Sequence, residues 1–193
     1  MQAARGASLT GDTTTGSDPS RRTRARLLLA GVALTAYAVD VVSKVVAVEQ
    51  LEGRAEPVPV VGEVLQLTLV RNPGAAFGTG TQFTVALSVF AAVAAVVVLV
   101  LARRVRSTLW AVGLGALLAG VLGNLTDRLL REPGPMRGHV VDMFLLPNWP
   151  VFNVADVCIN AAAAVILVQA FRGIRLDGTR ESDHRADESE PTA

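Results

Sequence analysis

The chain has 193 residues, 51% of them hydrophobic and only 18% charged, with a net charge of +1 and a mean hydropathy of +0.42. It is too apolar for an average soluble domain, and it has no basic excess of the kind that draws nucleic acid. The apolar residues collect in four blocks of about 20, the length a helix needs to cross a hydrocarbon core. A mainly α, four-helix transmembrane bundle is expected.

Residues 1–20 are rich in Gly, Ser, Thr and Asp, so a disordered tail is expected over 1–22. The first block, Arg26 to Val48, follows a run of arginines but is long and lacks a small-residue cleavage site, and so reads as a retained helix. It contains Asp40, Ser43 and Lys44. Asp40 and Lys44 stand four apart, which an ordinary exposed helix pair or a snorkelling lysine would explain. Lys44 is nonetheless the chain's only lysine among many arginines.

In the following stretch, residues 49–82, VLQLTLV alternates apolar and polar residues with β-branched members. One or two short strands are expected there, forming a small sheet between helices 1 and 2 on one membrane face. The second block runs from Phe83 to Leu101. The third, Ser107 to Leu125, carries glycines at 113, 115, 120 and 123 that make a thin face suited to close packing between membrane helices. At its end Asn124 and Arg128 share a face, while Asp127 is rotated from Arg128 by about 100°. These residues fit an interhelical network, and Arg128 equally fits a lipid phosphate.

Four prolines at 133, 135, 147 and 150 argue against a long helix between the third and fourth blocks. Within this loop Asp142 lies among Val, Met and Phe. Asn153 followed by Asp156 reads as an N-cap with an acid at the third helical position, opening the last block, Val154 to Phe171. Cys158, the single cysteine, is expected to be a small apolar side chain. The polar, mostly acidic end reads as a second disordered tail over 174–193, leaving 23–173 as the folded unit.

Arginines at 21, 22, 24 and 26, at 103, 104 and 106, and at 172 and 175 flank the blocks on one side. The positive-inside rule makes these segments, and both termini, cytoplasmic, with the loops 49–82 and 126–153 outside. The polar residues of the apolar blocks then gather at the outer level: Asp40 and Lys44, Asn124, Asp127 and Arg128, Asn153 and Asp156, with Asp142 between. Ionisable groups in such segments are costly and mark sites by default.

Two carboxylates that share a site tend to hold one proton between them. The ionised member can take a proton from water attacking a carbonyl carbon while the protonated member polarises the oxygen, which is aspartic proteolysis. His139 and His184 offer no Ser-His-Asp arrangement in competition. A proton-coupled transporter would also use carboxylates in a bundle, though nearer the midplane. A metal-dependent lipid-modifying transferase would need clustered oxygen ligands.

The segments Asp40-Val-Val-Ser-Lys44, Asn72-Pro-Gly-Ala-Ala-Phe77, Gly123-Asn-Leu-Thr-Asp-Arg128, Val140-Val-Asp142 and Phe152-Asn-Val-Ala-Asp156 resemble, in order, the motifs of bacterial lipoprotein signal peptidase, signal peptidase II. The resemblance implies a cell-membrane aspartyl endopeptidase that cuts diacylglyceryl-modified prolipoproteins just before the lipidated cysteine. It further implies four helices with a small extracytoplasmic β-cradle, no metal or cofactor, contact with membrane lipid and sensitivity to globomycin-type inhibitors. By the same resemblance Asp142 and Asp156 are the catalytic pair. Asn72, Asn124, Arg128 and Asn153 bind substrate or position the pair, and Asp40, Lys44 and Asp127 support the site. Two departures stand out: Ala119-Gly120 replaces a frequent Gly-Gly pair, and the segment between the two aspartates is short.

Overall fold

A computed structural model describes residues 19–74 and 84–180. In chain order the elements are α1 (Pro19–Leu51), β1 (Val58–Val61), β2 (Leu65–Asn72), α2 (Thr84–Ala102), α3 (Thr108–Leu130), β3 (Val140–Leu145) and α4 (Val154–Phe171). All four helices are long and apolar enough to span a membrane.

The folded part exceeds the expected limits at both ends. Residues 19–22 form the first turn of α1, which starts at a proline, a residue well suited to the first helical position because its missing N–H would be unpaired there anyway. Residues 174–180, expected in the tail, instead fold back onto the start of α3. The carbonyl of Leu176 accepts the N–H groups of Arg106 (3.0 Å) and Ser107 (3.2 Å), and Trp110 Nε1 donates to the carbonyl of Ile174 at 2.9 Å. The remainder of the two expected tails, 1–18 and 181–193, lies outside the described residues, as do Ala75, Ala76 and Phe77.

Helix α3 is the centre of the bundle and packs against α1, α2 and α4. Its most apolar window is 56% buried, against 17–22% for the other three helices, whose remaining surface suits lipid. Lipid tails are as apolar as leucine, so close backbone approach rather than water exclusion must hold these helices together. Gly120 and Gly123 provide it. A Cβ added at Gly120 would lie 2.5 Å from the Ala155 carbonyl oxygen, and one at Gly123 would overlap the Asp40 carboxylate. Gly123→Ala is therefore expected to cost about 1–3 kcal/mol, read as a lower thermal midpoint in detergent. Gly31→Ala, where an added Cβ meets nothing within 4 Å inside α1, should not lower the midpoint.

The sheet is larger than the sequence predicts. Its strand order is β1-β2-β3, all antiparallel, and the third strand comes from the second loop, not from the segment between α1 and α2. VVDMFL is a short apolar run buried along four of its six residues, which is how a fully covered strand reads. Val141 and Met143 pack with Ala47 and Leu51 of α1. This contact seats the sheet on one end of the bundle and fixes β3 beside the ends of α1 and α3.

Candidate active site

Strand register brings the first pair of polar residues together. Val70 lies opposite Asp142 and Asn72 opposite Val140, so Asn72 and Asp142 are diagonal neighbours on one face of the sheet. Asn72 Nδ2 donates to Asp142 Oδ2 at 2.9 Å, and Asn153 Nδ2 donates to Asp142 Oδ1 at 2.6 Å. Asp142 is 2% exposed.

Asp156 is held by the start of α4. Asn153 and Asp156 form a full capping box: the Asp156 N–H donates to Asn153 Oδ1 (3.0 Å) and the Asn153 N–H to Asp156 Oδ2 (3.2 Å). Asn124 Nδ2 adds a bond to Asp156 Oδ1 at 3.0 Å. Asn153 thus donates to both carboxylates, to Asp142 through its side-chain amide and to Asp156 through its backbone N–H. The two aspartates line one cavity of about 450 Å³ with Asn72, Asn124 and Arg128.

Behind this pair lies a buried ionic cluster. Lys44 Nζ is 2.8 Å from Asp40 Oδ2, 2.9 Å from Asp127 Oδ2 and 2.9 Å from Asn124 Oδ1. Lys44 and Asp40 are each 1% exposed, so neither the exposed-pair nor the snorkelling explanation holds. The cluster also ties elements together. Asp40 Oδ1 accepts the Ala155 N–H at 2.8 Å, joining α1 to α4, and Asp127 Oδ2 accepts the Val141 N–H at 3.2 Å, joining α3 to β3 next to Asp142. Arg131, the C-cap of α3, pairs with Asp127 Oδ1. Ser43 only back-bonds to the Asp40 carbonyl.

Arg128 donates through one terminal nitrogen to the Gly74 carbonyl at 2.7 Å, while the other has no hydrogen-bond partner among the described residues. His139 does not line the aspartate cavity. Burial pushes the Asp142 carboxyl up to about 6; the Asn72 hydrogen bond opposes the rise and the charge of Asp156 adds to it.

Two residues here escape sequence reasoning. Thr84 Oγ1 donates to the Pro73 carbonyl at 2.6 Å, and Ser88 Oγ lies 2.8 Å from the Met136 carbonyl and 2.9 Å from that of Thr84. They tie the end of β2 and the loop before β3 to α2. Their signal was present as two hydroxyls four apart in an otherwise apolar block. Trp149, 63% exposed, and Asn160 also line the cavity.

Comparison with known proteins places this arrangement in a class. A family model described as "Signal peptidase (SPase) II" matches residues 32–172. The lipoprotein signal peptidase of Mycobacterium avium (strain 104) is 45% identical over 168 residues, 87% of this chain and 90% of its own. That of Streptomyces coelicolor (strain ATCC BAA-471 / A3(2) / M145) is 44% identical over 85% of this chain and 80% of its own. A solved structure described as "Bacterial membrane enzyme structure by the in meso method at 2.3 A resolution" shares the fold, with a TM-score of 0.66 at 20% identity over 89% of this chain and 95% of that one.

The class is thus a multi-pass membrane aspartic peptidase. The chain belongs to the signal peptidase II family, and its activity is the removal of signal peptides from lipoproteins. The transporter and transferase alternatives fall with that membership.

Proposed function

We propose that Asp142 and Asp156 are the catalytic pair and cleave a diacylglyceryl-modified prolipoprotein just before its lipidated cysteine. The observation that carries this reading is Asn153, which bonds both carboxylates at the wall of one cavity. Asp142, buried and raised, holds the shared proton and donates it toward the scissile carbonyl oxygen. Asp156, at the positive end of the α4 dipole, takes a proton from the attacking water. Asn72, Asn124 and Asn153 keep the pair in register, and the unpartnered nitrogen of Arg128 is left for a substrate carbonyl. Asp40, Lys44 and Asp127 hold Asn124 and β3 in place behind them.

The arginines near the N-terminus, between α2 and α3 and after α4 support cytoplasmic termini, which puts the pair at the extracytoplasmic face among lipid headgroups. Globomycin-type inhibitors, by the family resemblance, act in the same cavity.

Proton sharing sets the pH dependence. A carboxyl raised from 3.8 to about 6 binds its proton more tightly in the folded protein, so the proton needed for catalysis is lost as pH rises through about 6. For the free enzyme, kcat/KM should fall about tenfold per unit above that value. Bound peptide displaces water from the cavity, so the corresponding limb in kcat should lie at higher pH. A limb near 4 in kcat/KM would contradict the proton assignment.

A further inference from the structure

At the end of the bundle opposite the aspartates, a cavity of about 940 Å³ opens between the first turns of α1, the start of α3 and the end of α4. Its wall carries Arg21, Arg24, Arg106 and Arg172, with Asp177 as the acid among the lining residues. Other arginines at this end have structural work: Arg22 and Arg26 donate to the Arg103 carbonyl that ends α2, at 3.0 and 2.6 Å. Among the described residues the guanidinium groups of the four lining arginines make no hydrogen bond and no ion pair within 4 Å, though the charge of Arg106 acts on Asp177 from further off. Asp177 is already engaged by the Thr179 N–H and hydroxyl at 3.0 and 2.7 Å.

Two further features point to an occupant. The 23-residue α3 starts at this wall with Ser107 as N-cap, and Ser107 makes no side-chain cap bond. Thr108 and Leu109, which open α3 without a side-chain cap on their N–H groups, line the cavity, and an uncapped helix N-terminus favours anions. Gln169, which lines the same cavity, is 1% exposed, and its Oε1 has no hydrogen-bond partner among the described residues. A buried amide oxygen without a donor is costly, and the soft terminal torsion of glutamine lets it turn either oxygen or N–H toward a ligand. Leu28 and Leu109 add an apolar side wall that is partly open outward, 36% and 48% exposed.

We propose that this cavity binds a phosphate ester bearing hydroxyls, of the glycerophosphate kind. The arginines and the α3 N-terminus take the phosphate oxygens, in the bidentate manner guanidinium groups allow. A headgroup hydroxyl supplies the donor that Gln169 lacks, and acyl chains run along Leu28 and Leu109. A carboxylate, such as those of residues 181–193, can take only the Gln169 N–H and leaves its oxygen without a donor, so it fits less well. The phosphate could come from a lipid or from a soluble glycerophosphate.

The test uses the full chain in neutral detergent, titrated with phosphatidylglycerol or phosphatidylcholine and followed by native mass spectrometry. Competition by millimolar glycerol 3-phosphate or inorganic phosphate separates the sources. Phosphatidylglycerol should bind at least tenfold more tightly than phosphatidylcholine, and at least tenfold more weakly to Arg106→Gln/Arg172→Gln. Gln169→Leu should weaken it several-fold, and Arg71→Gln, on the sheet at the other end, should not. Competition by the soluble phosphates assigns a soluble source, and its absence assigns the lipid. If the double variant does not fold, Arg21→Gln/Arg24→Gln on the exposed first turns of α1 carries the same expectation. Equal retention of the two lipids by the parent, or equal binding by parent and arginine variants, would overturn the proposal.

Discussion

Replacing Lys44 by methionine should destabilise the protein by about 3–5 kcal/mol, the cost of stripping one partner from a buried charge cluster. An ammonium has three N–H donors, and Lys44 has three acceptors within 2.9 Å: Asp40, Asp127 and Asn124. Loss of the lysine leaves Asp40 without its cation and Asp127 with Arg131 alone, both in a low-dielectric setting. A planar guanidinium cannot direct donors to three tetrahedral positions from the same stem, so Lys44→Arg should rescue little. Thermal unfolding in detergent reads the effect. Adding Asp40→Asn to Lys44→Met should recover part of the loss because it removes the stranded charge. An unchanged midpoint in Lys44→Met would show that the cluster carries no net stability.

The second large effect concerns chemistry. Asp142→Asn and Asp156→Asn should each lower kcat about 10³–10⁴-fold, near the upper end of what general acid–base catalysis supplies. The two changes act on one unit, so the double variant should be little worse than either single one. Asp142→Asn is the cleaner of the two. Because burial raises the Asp142 carboxyl, the charged form opposes folding above pH 6; a neutral amide relieves that cost but sets its NH2 against one of two donors, Asn72 Nδ2 or Asn153 Nδ2, so the thermal midpoint at pH 7.5 should change little. Activity lost with the midpoint kept separates catalysis from folding. Additive losses in the double variant would mean that the aspartates work independently.

Much of this was legible in the sequence because membrane physics leaves few options. Four apolar blocks of span length give four helices, and the polar residues inside them, being costly, stand out against their surroundings. Asn153 and Asp156 were readable as a cap because a capping box is a local pattern. The link from Asn72 to Asp142 was not, since it depends on the register of two strands 70 residues apart in sequence. In sequence, strand β3 looks like loop because its alternation is hidden: both faces are covered, so VVDMFL has no polar side to reveal period two. Lys44 was ambiguous for the same kind of reason. An i,i+4 pair looks alike on a surface and in a core, and only the approach of Asp127 and Asn124 from α3 decides between them. The ordered turn at 174–180 was hidden by polar composition, its anchoring being made by backbone carbonyls that carry no side-chain signature.

The central claim is that one proton shared by Asp142 and Asp156 cleaves a lipid-anchored peptide. Its most direct test is product mass after incubating a purified diacylglyceryl-modified prolipoprotein with the parent enzyme, Asp142→Asn or Asp156→Asn. The account predicts a product beginning at the lipidated cysteine for the parent, and no product on the same timescale for either folded variant. Near-parental product from either variant, with its thermal midpoint intact, would contradict it.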